Sequence, residues 1–177
     1  MKTILLVATA ALICAVQFAV AADAPSALKA GDKAPLVEGK DQDGKTWKLA
    51  DDIGKQALLL YFYPKDETPG CTKQACSMRD SITELEQSKV KVAGVSFDSA
   101  ESHQKFIAKH GLNFPLIADT DGKIAEAYGV KMKDRNMARR VSFLIGRDGK
   151  IAHVTDSGDP EKHVTEMKLA AATLKKS

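Results

Sequence analysis

Two cysteines five residues apart, Cys71 and Cys76, stand in the stretch Tyr61-Phe62-Tyr63-Pro64-Lys65-Asp66-Glu67-Thr68-Pro69-Gly70-Cys71-Thr72-Lys73-Gln74-Ala75-Cys76. The nucleophilic form of cysteine is the thiolate, which forms where the surroundings are electropositive. The flanking residues provide such a place. Ala57 to Tyr63 is apolar and aromatic, the length of a buried strand. Pro64 removes a ladder donor and ends it. Thr68 is a helix-capping residue type, and Pro69 suits the first helical position. Beyond them Ala75, Met78, Ile82 and Leu85 recur at spacings of three and four, the apolar stripe of an amphipathic helix. Cys71 lies on that stripe in the first turn. Unpaired backbone N–H groups and the positive end of the helix dipole favour a thiolate there.

On an ideal helix Cys76 is turned by roughly 140° from Cys71, with the Cα atoms about 8.6 Å apart. A disulfide tolerates no more than roughly 7 Å. The two sulfurs therefore cannot join while the helix is intact. Either its first turns unwind during a reaction cycle, or the two cysteines do not pair. A permanent structural bridge would break a well-patterned helix. The spacing is also not the C-x-x-C of a dithiol oxidoreductase.

Pro64-x-x-x-Thr68-x-x-Cys71 resembles the active-site motif of the peroxiredoxins. Cys76 resembles the resolving cysteine of their atypical two-cysteine subgroup, called bacterioferritin comigratory protein or peroxiredoxin Q. A second segment, Arg140-Val141-Ser142-Phe143-Leu144-Ile145, is similar to the family's arginine-bearing strand. The resemblance runs from Leu28 to the C-terminus.

This resemblance implies a thiol peroxidase acting on hydrogen peroxide and organic hydroperoxides. Cys71 would be the peroxidatic nucleophile and pass through a sulfenic acid. Cys76 would resolve it to a Cys71–Cys76 disulfide, which a thioredoxin-like dithiol would reduce. Thr68 would hydrogen-bond thiolate and peroxide, Pro64 would shield the pocket from water, and Arg140 would hold both reactants. Arg140 takes this role rather than Arg139, because the motif's arginine stands two before the serine. A guanidinium suits it through its fixed fork of donors. The subgroup implies a monomer that needs no metal, haem or flavin.

Two competing readings are an exported thioredoxin-fold protein for thiol–disulfide exchange and a copper-binding relative. The first would carry C-x-x-C, and the second C-x-x-x-C with a distant histidine. A third is an inactive domain with core cysteines, which the place of Cys71 on the apolar stripe would suit. Pro64 and Thr68 at their spacings argue against it.

The surrounding pattern is α/β. Val90 to Phe97 reads as a second buried strand. Ser99 caps a helix running to Lys109, which Gly111 ends. Leu112 to Ala118 reads as a strand that Pro115 places near an edge. Lys123 to Tyr128 is a short helix closed by Gly129. Val141–Ile145 and Ile151–Val154 form a hairpin about Asp148-Gly149, and Glu161–Leu174 is a closing helix started by Pro160. Asp41 to Lys45 is a turn before a strand from Thr46 to Leu49. The expected architecture is thioredoxin-like in its peroxiredoxin version, a central mixed sheet flanked by helices.

Several features carry no chemistry. Asp41-Gln42-Asp43-Gly44, Asp119-Thr120-Asp121-Gly122 and Asp148-Gly149 read as Asp-Gly turns, since the remaining ligands of a calcium loop are missing. His103, His110, His153 and His163 have no metal-ligand spacing with a cysteine, and surface or helix-flank positions are expected for all four. Lys131, Lys133, Arg135 and Arg139 read as a solvated basic loop. Arg140, next to an apolar strand, is expected to face inward.

Residues 1–22 read as a cleaved signal peptide. Lys2 precedes an apolar run from Ile4 to Val20, and Ala19-Val20-Ala21 is a small-x-small site with cleavage after Ala21 or Ala22. A retained membrane anchor is the alternative at this length. Cys14 is a bystander within the run. Export, to a periplasm, is the expectation, with no stable membrane association after cleavage. Residues 23–30 read as a flexible leader, and 31–177 as one domain. The formal charge of +3 falls to +2 when Lys2 is lost. That is too near neutral to imply a nucleic-acid partner.

Overall fold

A computed structural model describes residues 28–174. The signal-peptide expectation, most of the leader and Lys175 to Ser177 lie outside the described residues. Among the described residues, seven strands form one mixed sheet: β1 (Glu38–Asp41), β2 (Thr46–Lys48), β3 (Ala57–Phe62), β4 (Val90–Ser96), β5 (Leu116–Ala118), β6 (Val141–Ile145) and β7 (Ile151–Asp156). Their order across the sheet is β2-β1-β5-β4-β3-β6-β7. β3, β4 and β5 run parallel, and β6 pairs antiparallel to β3. Among the described residues, five α-helices and a short 3-10 helix (Leu49–Asp51) accompany them: α1 (Pro69–Asp80), α2 (Ile82–Gln87), α3 (Ala100–His110), α4 (Lys123–Ala127) and α5 (Pro160–Leu174).

The two-residue period of β3 divides the core. Leu59, Tyr61 and Tyr63 pack with Cys71, Ala75 and Met78 of α1, Leu85 of α2, Phe106 of α3 and Val164 and Met167 of α5. Leu58, Leu60 and Phe62 pack on the other face with Phe143, Ile124 and Tyr128. Leu28 packs against this second cluster as well. Every residue of β3 is buried, which explains its continuous apolar run in place of alternation. Gly94 in β4 is required by close approach. A Cβ there would meet Leu116 at 2.6 Å and the Tyr61 ring and hydroxyl at 2.8 Å.

The expected helix caps appear at α3, where Ser99 Oγ accepts from Ser102 N and Gly111 takes the left-handed conformation at φ 60°. Three expectations need correction. The stripe from Ala75 to Leu85 spans two helices, because Ser81 at ψ 0° interrupts the α geometry without moving Ile82 and Leu85 off the buried side. Leu116–Ala118 is no edge strand, since it pairs with β1 and β4. Pro115 stands just before it and costs the ladder no donor, and its carbonyl accepts from Gly94 N at 3.0 Å. Two of the four histidines, His103 and His163, are buried, each held by polar groups that replace water.

Candidate active site

Cys71 sits at the third position of α1 and is 1% exposed. β3 delivers the chain to this point from the middle of the sheet, and the 63–68 loop turns it into the helix. Thr68 occupies the N-cap position with extended backbone, and Pro69 follows it. The expected capping bond is not made: the Thr68 hydroxyl donates to the Lys65 carbonyl at 3.1 Å. The first-turn N–H groups around Cys71 are thus left without a side-chain cap. Pro64 is half-buried at the start of the loop.

Arg140 arrives from the first residues before β6, beside β3. Its Nη2 donates to Cys71 Sγ at 3.3 Å, and its Nη1 donates to Gln74 Oε1 at 2.5 Å. Cys71 and Gln74 lie one turn apart on α1, so one planar guanidinium spans both. Gly70 makes this approach fit, since a Cβ there would stand 3.2 Å from Arg140 Nη2. Arg139 turns away, to the Asp156 carboxylate and the Gly129 carbonyl, as expected of a residue outside the site. Cys76 lies on the same helix, half-buried, and both cysteines are free.

The sequence reading brought together Cys71 and Arg140 and placed Pro64, Thr68 and Cys76 around them. It missed Gln74, which is fully buried and leaves its Nε2 without a partner among the described residues. The signal was its position three after Cys71, on the face that an inward arginine must cross. It also missed Tyr61, whose buried hydroxyl has no partner among the described residues. Burial first, then the negative charges of Asp66 and Cys71, push that phenol well above its usual range.

A polar network lies behind the loop. Asp66 is 4% exposed between exposed Lys65 and Glu67. Its carboxylate accepts from the Tyr63 hydroxyl at 2.7 Å, the Ser102 hydroxyl at 2.7 Å and His103 Nδ1 at 2.9 Å. Burial alone would raise this carboxyl, but bonds from His103, Ser102 and Tyr63 outweigh it and hold it below the ordinary carboxylate range. An ionised Asp66 can only accept, so His103 Nδ1 carries the hydrogen. A second buried histidine, His163 of α5, sits behind Arg140. Its Nε2 meets the Ser157 carbonyl at 2.9 Å and therefore carries the hydrogen, while Nδ1 accepts from the Ser142 hydroxyl at 2.8 Å. Burial first, with Arg140 adding to it, holds His163 below its usual range.

A thioredoxin-like sheet that presents a buried thiol at a helix start, with a guanidinium on its sulfur, defines a thiol redox protein. Comparison with known proteins gives the family. Residues 30–154 match the AhpC/TSA family. The chain is 45% identical over 142 residues to Peroxiredoxin Bcp of Escherichia coli (strain K12), covering 77% of this chain and 90% of that one. Its fold is similar to the crystal structure of peroxidoxin BcpB from Mycobacterium tuberculosis, with a TM-score of 0.78 and 29% identity over 82% of this chain and 97% of that one. It is also similar to Xanthomonas campestris bacterioferritin comigratory protein, with a TM-score of 0.72 and 28% identity over 78% and 92% of the two chains. That structure is described in terms of alkyl peroxide reduction. The chain belongs to the AhpC/TSA family, as a peroxiredoxin of the Bcp or Q type. The copper-binding and thiol-exchange alternatives are not favoured. A guanidinium 3.3 Å from the sulfur also opposes a bound cation.

Proposed function

We propose that the protein is a thiol-dependent peroxidase that reduces hydrogen peroxide and organic hydroperoxides at Cys71. One observation carries the reading: a helix-start thiol receives a guanidinium hydrogen bond at 3.3 Å, with a second free cysteine further along the same helix. The relationship to proteins named peroxiredoxin and to a structure described for alkyl peroxide reduction supports it.

The steps follow from the groups present. Cys71 thiolate attacks the terminal peroxide oxygen, and the O–O bond breaks. The second oxygen leaves with its electron pair and takes a proton, giving an alcohol or water. Arg140 Nη2 and the first-turn N–H groups stabilise negative charge as it passes from sulfur to oxygen. The Thr68 hydroxyl exchanges the Lys65 carbonyl for the peroxide oxygen. Pro64 limits water. Cys71 is left as a sulfenic acid, the reversible first stage of thiol oxidation. The first turns of α1 then unwind, Cys76 thiolate attacks the Cys71 sulfur, and the sulfenic oxygen departs as water. A thioredoxin-like dithiol returns two electrons by disulfide exchange. Both cysteines lie on one helix, so a single chain completes the cycle and the protein works as a monomer.

The signal-like residues 1–22, with Lys2, the apolar run and Ala19-Val20-Ala21, support export to a periplasm. Mass analysis of the protein recovered from that compartment tests this, with a start at Ala22 or Asp23 expected.

The deciding experiment is the mass and thiol count of the protein after one equivalent of hydrogen peroxide. Wild type is expected to lose two thiols and two hydrogens, Cys76→Ser to hold a sulfenic acid, and Cys71→Ser to be inert. A wild type that reacts no faster than free cysteine refutes the reading.

A further inference from the structure

The unwinding of α1 needs a fixed point. Two adjacent carboxylates provide one. The Asp66 side chain is held by the end of β3 through Tyr63 and by α3 through Ser102 and His103. Its backbone N–H donates to Asp98 Oδ2 at 2.9 Å, and Ser96 at the end of β4 holds that same oxygen at 2.7 Å. Glu67 follows at φ 61°, a left-handed conformation unusual for a residue with a side chain. Its carboxylate meets Lys109 Nζ at 2.6 Å and His110 Nε2 at 3.4 Å, both at the last turn of α3. The residues between this clamp and Cys71 are only Thr68, Pro69 and Gly70.

We infer that Asp66, through its bonds to Tyr63, Ser102 and His103, is a positioning residue that pins the loop to α3 and sets the balance between the intact and the unwound start of α1. It touches neither the reacting sulfur nor the peroxide. It acts on Thr68 at the helix start and on Cys71, which keeps its place against Arg140 only while the segment before it is fixed. This rests on the two-cysteine cycle proposed above. It assigns the two halves of that cycle opposite needs. The attack on peroxide uses the pinned loop, and formation of the disulfide uses the released helix. The pinned carboxylate therefore speeds the first step and slows the second.

The network is polar rather than apolar for a physical reason. A carboxylate with three donors specifies one geometry, where apolar packing would tolerate several. His103 Nε2 has no partner among the described residues, so on that side the network ends within the core and does not continue to solvent.

The test is Asp66→Asn, which keeps the shape and forfeits the charge and one acceptor. Amide hydrogen exchange of the reduced protein is read at Cys71 to Ala75, against Leu59 to Tyr61 in β3 and Met167 to Ala171 in α5. Exchange over this segment, whose bonded amides begin at Thr72, is expected to rise about tenfold with the two reference segments unchanged. In the same variant, thiol loss with peroxide is expected to slow about tenfold, while Cys71–Cys76 disulfide formation from the sulfenic acid becomes several-fold faster. Glu67→Gln, on the exposed half of the clamp, is expected to shift all readouts the same way by two- to threefold. Equal acceleration of exchange everywhere, or a proportional fall in both chemical rates, would show a merely structural residue and overturn the inference. Unchanged exchange at Cys71 to Ala75 in both variants would also overturn it. The exchange arm does not depend on peroxide chemistry. A wild type inert to peroxide thus sinks the enzymatic reading alone, and the pinning is judged on exchange.

Discussion

Replacing Arg140 by methionine keeps the length of the side chain and removes both of its donors. In the native structure Nη2 reaches Cys71 Sγ at 3.3 Å. Two unit charges at that distance would attract by about 5 kcal/mol at an effective dielectric of 20, an upper bound for a partly solvated pair. A hydrogen bond to a charged group contributes less in net terms, about 1.5–3 kcal/mol. If the transition state, in which charge passes from sulfur to oxygen, loses that much stabilisation, thiol oxidation slows by roughly 10- to 150-fold. The same change strips Gln74 Oε1 of its partner at 2.5 Å, so a loss of stability of about 1–3 kcal/mol accompanies it. Arg140→Lys separates the two effects. An ammonium keeps the charge but cannot donate to Cys71 and Gln74 in one plane, and it is expected to react at an intermediate rate. The assay is competition for limiting hydrogen peroxide against a peroxidase of known rate, at a temperature where circular dichroism shows all variants folded. A methionine variant within threefold of wild type would refute the assignment of Arg140 to the reacting sulfur.

Three further outcomes follow from particular contacts. Tyr61→Phe removes a buried hydroxyl with no partner among the described residues and is expected to leave stability equal or raised by up to about 1 kcal/mol; a clear loss in urea unfolding would mean that the hydroxyl is bonded. Gly94→Ala forces a Cβ to within 2.6 Å of Leu116 and 2.8 Å of Tyr61, and an overpacking cost of about 1–3 kcal/mol should lower the urea midpoint. His163 has its folded-state pKa depressed, so its stabilising contribution is fully present above about pH 6.5, the unfolded value. It is lost as pH falls through the lower folded value, because the unfolded chain then binds the proton more readily. The urea midpoint should drop between pH 7.5 and pH 5.5 in wild type and drop less in His163→Gln. Equal slopes would rule this source out. Asp66, also depressed, gives its loss only below about pH 4, outside that window.

What the sequence displayed and what it concealed divide along the range of the interactions. β3, α1, the caps of α3 and the β6–β7 hairpin are local patterns and could be read directly. Arg140 could be chosen over Arg139 only through the resemblance to the family motif, whose arginine stands two before the serine, because every residue of β6 is buried and alternation along it singles out neither. The sheet position of β5 could not, since its pairing with β1 joins segments far apart in the chain and Pro115 suggested an edge. His103 and His163 looked like surface residues because a histidine's burial depends on partners such as Asp66 and Ser142, which the fold alone brings near. Thr68 was correctly placed at the helix start, yet its hydroxyl bonds backward to Lys65, a choice of rotamer that no spacing encodes. Gln74 carried no chemical signature apart from its register with Cys71.

Arg140 lies 69 residues after the cysteine that it touches. At a synthesis rate of roughly 5–20 residues per second, the thiol leaves the peptidyl-transfer centre roughly 3–14 s before its guanidinium does. During that interval β6 is also missing from beside β3, so the sulfur is an ordinary nascent-chain thiol with no cationic neighbour from that strand. The long reach from Cys71 to Arg140 thus acts as a timer, and the share of peroxide reactivity that Arg140 supplies arises only when most of the sheet has been made.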